Sequence, residues 1–383
     1  MEIIENIKIT ELLKLLPENY KNACFEHKAI ERSRVVKSPE ELLALLMYYL
    51  GADNSLIAVS QYALLVGIGK ISDVALIKKF NKCCDWLKWL IENIKPNEII
   101  NYKKPIELED YNVIAVDASD IREKGAINRE WHLHYGVNLF SLTCNQFKIT
   151  EQSTGETLKN FNITKNDLII GDRAYANISS IEYCLKNGGN FILRIRNKAF
   201  NLYNENKEKI VLADWLQTLD DKVSECTVYM KNSEKQYIPL RICAVPKTEE
   251  EIKIEEKRIQ RRDSKKQRKT SDETKFTHRY MFVITSLPNS ISAEKVLEFY
   301  RLRWQVELVF KRYKSLLNLG NIPTKTEKAS EVWLNGKMFI ALLIEKYLGD
   351  IDFSPSWKLR EESKFVEGNQ TCITFDDYEY ITK

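Results

Sequence analysis

Two short runs of consecutive apolar residues constrain the fold of this chain more than any other feature. Residues 113–116 are Val-Ile-Ala-Val and residues 168–170 are Leu-Ile-Ile. A short, uninterrupted apolar run of this kind predicts a central strand that is buried on both faces. Because such strands need other layers packed over both faces of their sheet, the two runs favour an α/β fold.

The segments around these two runs predict a mixed sheet. Residues 131–139 alternate in polarity and residues 146–152 predict a third strand, before the run at 168–170. Asn177 then caps a helix, and residues 191–195 predict a fifth strand. Three strands, a short connection, a strand, a helix and a strand indicate a mixed sheet rather than a regular doubly wound one.

Residues 1–105 predict an all-helical N-terminal domain. Ser38-Pro39 is a typical helix start, with proline in the first turn. Further along, an apolar helix over 57–65, a turn over 67–69 and a helix capped by Ser72 could form a helix-turn-helix that binds DNA. A plain helical bundle explains the same pattern equally well.

Residues 198–285 interrupt the sheet pattern and predict a β-rich insertion rather than a separate domain. Strand-like pieces occur at residues 226–230, 240–245 and 280–285. A strongly basic stretch lies over 257–269, and it is either a DNA contact or simply a solvated charged face.

The final third of the chain predicts two helices. A long helix is expected over residues 293–318, following Pro288 and Ser290, and an apolar helix over 331–348. The tail over 349–383 shows no pattern that indicates a structure.

Composition excludes several classes of protein. The chain of 383 residues carries a net charge of +4, which is too weakly basic to indicate nucleic acid by itself. Its 8 cysteines form no Cys-x-x-Cys pair, which argues against a zinc ribbon and indicates a reducing compartment. The sequence shows no secretory signal and no apolar stretch that would span a bilayer, so we expect a cytoplasmic protein without membrane contact.

Two aspartates follow the two buried runs. Asp117 comes directly after residue 116, and Asp172 follows Gly171. Carboxylates held at the ends of buried strands suit divalent metal ions. The alternative is that both are ordinary turn-capping aspartates.

The predicted long helix carries a row of polar side chains. Tyr300, Arg303, Glu307 and Lys314 fall within an arc of about 60° on a regular helix. On the opposite side, four apolar residues predict the packed face: Leu302, Val306, Val309 and Leu316. A solvated face with salt bridges would give the same spacing.

These residues, with their spacing, resemble the YREK signature of insertion-sequence family four transposases. The signature residues are Tyr300, Arg303, Glu307 and Lys314. Val116-Asp117-Ala-Ser is similar to the family's first-aspartate strand, and Gly171-Asp172-Arg-Ala-Tyr175 to its second-aspartate motif. The resemblance covers roughly residues 40–345, with the motifs in the family's order.

The resemblance implies a ribonuclease H-like mixed-sheet core, in which Asp117, Asp172 and Glu307 form the catalytic and metal-binding DDE triad. Such a triad holds two Mg²⁺ ions about 3.5–4 Å apart, for which Mn²⁺ is expected to substitute. The implied substrates are the terminal inverted repeats of a transposon and a double-stranded target DNA. A homodimer is expected, because two transposon ends must be paired.

Six residues are predicted to contact the DNA. Arg303 and Lys314 are expected to clamp phosphates, and Tyr300 could hydrogen-bond one. Trp304 could stack on a base displaced during hairpin formation, or simply pack. Arg173 and Tyr175 follow the second aspartate and are also expected at the DNA, unless they pack at the start of the helix.

Other polar residues offer competing sites. His132 and His134 share one face of a strand and could bind a metal ion, although the acids already account for the chemistry. Asp120 is a second candidate carboxylate, but it is more typical of a turn residue. Glu156 resembles a family position without an assigned role.

The predicted organisation is a helical DNA-binding domain over 1–105, a catalytic core over 106–197 and 286–348, the insertion over 198–285, and the tail over 349–383. We expect a transposase that cuts at transposon ends and joins them to target DNA by cut-and-paste through a hairpin. The alternatives are a catalytically silent DNA-binding regulator derived from a transposase, and a ribonuclease H-like nuclease without strand transfer.

Overall fold

The computed structural model of the chain describes residues 13–94, 103–123, 131–151, 153–220, 222–324 and 326–350. One mixed sheet of 11 strands runs through this part of the chain. In chain order the strands are β1 (Asn112–Glu123), β2 (Trp131–Asn138), β3 (Cys144–Glu151), β4 (Asp167–Gly171), β5 (Asn190–Arg194), β6 (Leu202–Tyr203), β7 (Lys209–Ile210), β8 (Ser224–Lys231), β9 (Tyr237–Pro246), β10 (Tyr280–Thr285) and β11 (Asn321–Ile322).

Helices cover both faces of this sheet. They are α1 (Tyr20–Glu26), α2 (Pro39–Gly51), α3 (Leu56–Leu65), α4 (Asp73–Phe80), α5 (Cys84–Asn93), α6 (Ile178–Lys186), α7 (Leu212–Gln217), α8 (Glu249–Lys266), α9 (Asp272–Thr277), α10 (Ala293–Arg301), α11 (Trp304–Leu316) and α12 (Glu327–Asp350). Among these helices, none combines the length and apolarity that crossing a bilayer requires.

The central strands have the order β3-β2-β1-β4-β5. β1 runs parallel to β4, and β4 runs parallel to β5, whereas β2 and β3 are antiparallel. The mixed sheet expected from the apolar runs is therefore present. β1 is longer than expected, because it extends seven residues beyond Val116, with β2 as its partner over most of that length.

Two hydrophobic cores form on the opposite faces of the sheet. Val113 and Ala115 point into one core, and Ile114 and Val116 point into the other, as the alternation of side chains along a strand requires. The first core also contains the side chains of α2, α5, α10, α11 and α12. The second core contains those of α6 and α7.

The segment that was expected to form an insertion joins the same sheet. β10 pairs with β5, β9 pairs with β10, and β8 pairs with β9, all antiparallel. The edge of the central sheet is thereby extended rather than left free. The charged stretch between β9 and β10, for which the sequence indicated no structure, forms α8, which begins with a Thr248–Glu251 capping box.

The N-terminal part of the described chain is helical, from α1 to α5. α3 and α4 are joined by a turn in which Gly67 and Gly69 adopt positive φ, and the hydroxyl of Ser72 caps α4. These helices share the first core with α12, and the buried ammonium of Lys337 on α12 binds the Asp53 carboxylate. The N-terminal helices are therefore packed onto the rest of the structure.

A buried carboxylate ties α12 to α11 and to the sheet. Glu345 Oε1 accepts hydrogen bonds from the hydroxyls of Tyr313, at 2.8 Å, and Tyr135, at 3.2 Å. Its Oε2 accepts a bond from the backbone amide of Cys144, at 3.2 Å. Burial raises the pKa of Glu345, although these hydrogen bonds lower it in part.

We expect Glu345→Gln to change the pH dependence of stability. Because the folded pKa of this acid is raised, its protonated form favours the folded state, and that contribution is lost as the pH rises through the folded pKa. The free energy of unfolding of the wild type, relative to that of Glu345→Gln, should therefore be larger at pH 5 than at pH 7. Urea unfolding at both pH values measures it, with the exposed Glu327→Gln on the same helix as the control.

Candidate active site

The two aspartates lie at adjacent positions on neighbouring parallel strands. The last paired residues of β1 and β4 are Val116 and Gly171. Asp117 is the next residue of β1 and Asp172 directly follows β4, so their backbones are separated by about one inter-strand spacing of 4.8 Å. Beyond this point the β4 side of β1 is next paired at Arg122, by β11. The two carboxylates therefore lie at a gap in the sheet.

Asp117 lies inside β1, not after it as the sequence indicated. The pKa of Asp117 is raised to about 6, mainly by burial and to a smaller extent by the negative charges of Asp172 and Glu307. A hydrogen bond from the Ala118 amide, at 2.9 Å, and the positive charge of Arg303 act in the opposite direction. The electrostatic environment of Asp117 thus includes both other predicted triad acids.

The turn after β4 orients Asp172. Its Oδ1 accepts a hydrogen bond from the Ala174 amide at 2.7 Å, and its carbonyl accepts one from the Tyr175 amide at 3.2 Å. Little room is left at Gly171, because a Cβ at this position would lie 2.9 Å from the Leu193 side chain and 3.3 Å from the Tyr175 ring, and these buried side chains would have to shift.

The structure corrects the expected role of Tyr175. Its side chain is 0% exposed and packs in the second core near Phe161, so it cannot contact DNA here. Its hydroxyl makes no hydrogen bond with a described residue. Burial and then the charges of Asp117, Glu156 and Asp172 raise its pKa, which indicates that the hydroxyl faces the acidic site.

The predicted long helix is two helices, α10 and α11, separated by Leu302 and Arg303. The amides of these two residues bond to the carbonyls three residues earlier, instead of four. This tighter turn changes the angular phase between the two halves. As a consequence Leu316, expected on the packed side, is 77% exposed, and Tyr300, expected on the polar face, is 6% exposed.

Arg303 and Glu307 bind each other at the beginning of α11. Arg303 Nη2 donates a hydrogen bond to Glu307 Oε1 at 2.5 Å. The guanidinium also lies 5.9 Å from the centre of the Tyr300 ring, which is a cation–π arrangement. Arg303 is half-buried in this position, whereas Trp304 beside it is 39% exposed.

Two open clefts flank the acidic residues. The first, of about 510 Å³, is lined by Ala118, Ser119, Asp120, Arg122, Glu156, Lys314 and Gly320. The second, of about 400 Å³, is lined by Glu156, Arg173, Ala174, Ala176, Asn177, Arg196 and Ala199. Both clefts are lined by positively charged side chains, and Glu156 lines both of them. Sequence reasoning did not select Arg122 or Arg196, whose only signal is a basic residue at or just beyond the end of a core strand.

The two histidines lie side by side near this site. Their rings are 4.5 Å apart, and His134 Nε2 lies 3.0 Å from the Thr150 hydroxyl. His132 Nε2 lies 3.6 Å from carboxylate oxygens of both Asp120 and Glu156. Asp120 was expected in a turn, but it is a strand residue of β1 opposite His132.

The chemistry of the acidic residues suits a divalent cation. Asp117, Asp172 and Glu307 supply carboxylate oxygens, which are the ligands that Mg²⁺ and Mn²⁺ prefer. A bound cation would favour the charged form of Asp117, whose pKa is raised mainly by burial and in smaller part by the charges of Asp172 and Glu307. Within the described residues, no three His, Cys, Asp or Glu side chains are close enough together to hold a metal ion. Glu307 is instead turned to Arg303.

Comparisons with known proteins identify the family to which the chain is similar. A family model described as "Transposase DDE domain" matches residues 108–344. The chain is 28% identical to the transposase for insertion sequence element IS421 of Escherichia coli, over 88% of this chain and 93% of that protein. It is also 28% identical to the putative transposase InsL for insertion sequence element IS186A of Escherichia coli (strain K12), over the same shares.

The chain is also similar, at lower identity and over a shorter part, to a transposase from another genus. The transposase for insertion sequence element IS231F of Bacillus thuringiensis subsp. israelensis is 24% identical over 57% of this chain and 48% of that protein.

Proposed function

The chain belongs to the DDE transposase family and is an enzyme that cleaves and transfers DNA. From this premise we propose that Asp117, Asp172 and Glu307 are its metal-binding catalytic triad. The observation that carries the proposal is the position of Asp117 and Asp172 at adjacent ends of the β1–β4 pairing, with the charge of Glu307 acting on Asp117. In a family that depends on divalent metal, three such carboxylates are the natural ligands.

The ion that we propose is Mg²⁺, with Mn²⁺ able to substitute. When bound, it would stabilise negative charge on the attacking and leaving oxygens of the phosphodiester. Asp117 and Asp172 are held for this purpose by backbone hydrogen bonds from Ala118 and Ala174. Glu307 has to exchange its hydrogen bond with Arg303 for the metal. Arg303 is then available for a phosphate of the DNA.

We propose that the cations around the triad position the DNA. Lys314 in the first cleft and Arg173 in the second supply positive charge on the two sides of the acidic site. Trp304 is exposed enough to stack on a base. Tyr300 is nearly buried, so we assign to it the support of Arg303 rather than a direct phosphate contact.

The finer features follow the resemblance to insertion-sequence family four. We propose cut-and-paste transposition through a hairpin, a ribonuclease H-like core over 106–197 and 286–348, and a DNA-binding role for the N-terminal helices within 1–105. Residues 198–285 are assigned as the insertion, and most of the tail over 349–383 lies outside the described residues. A homodimer that pairs two transposon ends, acting in the cytoplasm, completes the proposal.

A cleavage assay with purified protein tests this function. A plasmid that carries the gene's native flanking DNA is incubated with the protein and Mg²⁺, Mn²⁺ or EDTA. Nicks at the element's ends that need either metal, followed by joining to a second plasmid, support the proposal. Binding to the ends without any cleavage would favour the DNA-binding regulator, and cleavage without joining would favour the nuclease.

Lys314→Gln should weaken DNA binding without abolishing it. If Lys314 contacts one phosphate, the affinity should fall about uniformly across DNA sequences, and the slope of log K against log salt should decrease by about 1. Fluorescence anisotropy at several salt concentrations measures both quantities. Lys311→Gln is the matched control, because Lys311 is exposed on the same helix but does not line the first cleft. Equal slopes for the two variants would contradict the contact.

A further inference from the structure

The residue opposite Asp117 on the neighbouring strand is a buried tyrosine. In the antiparallel register of β1 and β2, Asp117 faces Tyr135. Directly opposed residues of such a pair place their side chains on the same face of the sheet, with Cβ atoms about 4.5–5.5 Å apart. Tyr135 is fully buried in the first core, on the face of the sheet against which α11 packs. Asp117 and Tyr135 therefore project towards the helix that carries Glu307.

Two aromatic side chains of α11 pack on Tyr135. The centre of the Tyr135 ring lies 6.0 Å from that of Phe310 and 5.5 Å from that of Tyr313, and both contacts are edge-to-face. This is a favourable geometry for a pair of aromatic rings. Phe310 and Tyr313 follow Glu307 by three and six residues, so they lie within two turns of it on the same helix. The contact between α11 and β2 is thus close to Glu307 along the helix.

The two tyrosine hydroxyls and a carboxylate form a hydrogen-bonded triangle. The hydroxyls of Tyr135 and Tyr313 lie 2.9 Å apart, and they lie 3.2 Å and 2.8 Å from Glu345 Oε1. The other carboxylate oxygen accepts a bond from the backbone amide of Cys144, at the start of β3. Because buried polar groups are costly to leave without partners, a shift of α11 along the sheet would be opposed by these bonds. The triangle therefore defines the position of α11 on the sheet.

The separation of Asp117 and Glu307 depends on that position. The β1–β2 pairing ties Asp117 to Tyr135, and α11 itself ties Glu307 to Tyr313. The ion pair of Glu307 with Arg303 does not replace this link, since Arg303 is the residue directly before α11. The triangle is accordingly a direct connection between the strand of one acid and the helix of the other.

We propose that Tyr135, Tyr313 and Glu345 are positioning residues that set the separation of Asp117 and Glu307 for the divalent metal. The inference rests on the proposed function, because it takes these two acids as metal ligands. Mg²⁺ demands a near-ideal octahedral geometry, and the groups of such a site have to be held within about 0.5 Å of their productive positions. The triangle holds the two elements rather than the metal, so none of its members is a catalytic residue.

Tyr313→Phe tests the positioning role. The variant keeps the ring that packs on Tyr135 but removes the hydroxyl that bonds to Glu345. We expect half-maximal DNA cleavage to require about tenfold more Mn²⁺, a loss comparable with that of an outer-shell partner of a metal ligand. The rate at saturating Mn²⁺ should fall less. Binding of Mn²⁺ to the protein without DNA, followed by the electron paramagnetic resonance of the free ion, should weaken by a similar factor.

Tyr183→Phe is the matched control. The hydroxyl of Tyr183, on α6, donates a hydrogen bond to the carbonyl of Phe161 at 3.0 Å, in the core on the opposite face of the sheet. Its removal also costs a tyrosine hydrogen bond but leaves α11 unchanged. Urea unfolding shows how much stability each variant loses. If Tyr313→Phe needed no more Mn²⁺ than Tyr183→Phe, the inference would be overturned.

Tyr135→Phe removes the other hydroxyl and gives a second test, which also serves if Tyr313→Phe fails to fold. It should raise the Mn²⁺ requirement similarly, and the double variant should be little worse than either single one, because the hydroxyls act as a unit. Additive losses would contradict the shared triangle. Wild type that neither binds Mn²⁺ nor cleaves DNA would contradict the proposed function, whereas metal binding that both variants retain in full would contradict this inference alone.

Discussion

Glu307→Gln should lower the rate of DNA cleavage by about 10³-fold or more while leaving DNA binding largely intact. The substitution keeps the length and polarity of the side chain but removes the charge that we assign to metal binding. It also releases Arg303 from its ion pair with Glu307, so that the affinity for DNA should be equal or slightly higher. Misfolding of the variant would instead lower both the cleavage rate and the affinity for DNA.

The cleavage rate is measured at saturating protein, so that binding does not limit it. Glu298→Gln is the control, because Glu298 is an exposed acid of α10 that pairs with Lys295 at 2.9 Å. Its loss removes a helical ion pair of similar spacing but should change cleavage less than about twofold. Full activity of Glu307→Gln would show that the acid of α11 is not a catalytic ligand.

Arg241→Met should destabilise the fold by about 3–5 kcal/mol. Arg241 lies on β9, is 6% exposed, and donates hydrogen bonds to the carbonyls of Leu287, Pro288 and Ile291. It also pairs with Glu225. Methionine fills a similar volume but leaves these carbonyls and the carboxylate without their donor.

The effect of Arg241→Met should reach the active site. The loop that Arg241 holds leads directly into α10 and α11, and α11 carries Glu307. The free energy of unfolding, measured in urea, and the cleavage rate should therefore both be lowered. Arg241→Lys should be intermediate, since one ammonium cannot replace the fork of a guanidinium. Arg279→Met is the control, because Arg279 is exposed. If Arg241→Met were as stable as Arg279→Met, the role of Arg241 would be contradicted.

The apolar pattern predicted the centre of the sheet but only part of β1. Residues 113–116 are apolar because β2 and β4 flank them and both faces are covered. Beyond Val116, β1 keeps β2 on one side, but on the other side no strand within the described residues pairs with it until Arg122. Polar residues are tolerated there, so the continuation of the strand carries no apolar signature.

The helix that carries Glu307 shows a different limit of sequence reasoning. Neither proline nor glycine marks the break between α10 and α11, and the polar spacing fits a continuous helix. The change to bonds three residues apart moves Tyr300 inward and Leu316 outward. Such a change depends on tertiary packing, which a periodic pattern does not reveal.

Long-range contacts account for the remaining differences. The pairing of β10 with β5 joins residues that are about 90 positions apart, and no local pattern indicates it. By contrast, Asp117 and Asp172 could be selected from the sequence, because each follows a buried run that the pattern does predict.

Localised backbone cleavage by iron tests the central claim most directly. Fe²⁺ replaces Mg²⁺ at oxygen-ligand sites, and with ascorbate and peroxide it generates radicals that cut the nearest polypeptide. We expect fragments that end near residues 117, 172 and 307, and that disappear with excess Mg²⁺ or in Asp117→Asn. If no fragment ended near residues 172 and 307, or if excess Mg²⁺ did not suppress the cleavage, the assignment of the triad would be contradicted.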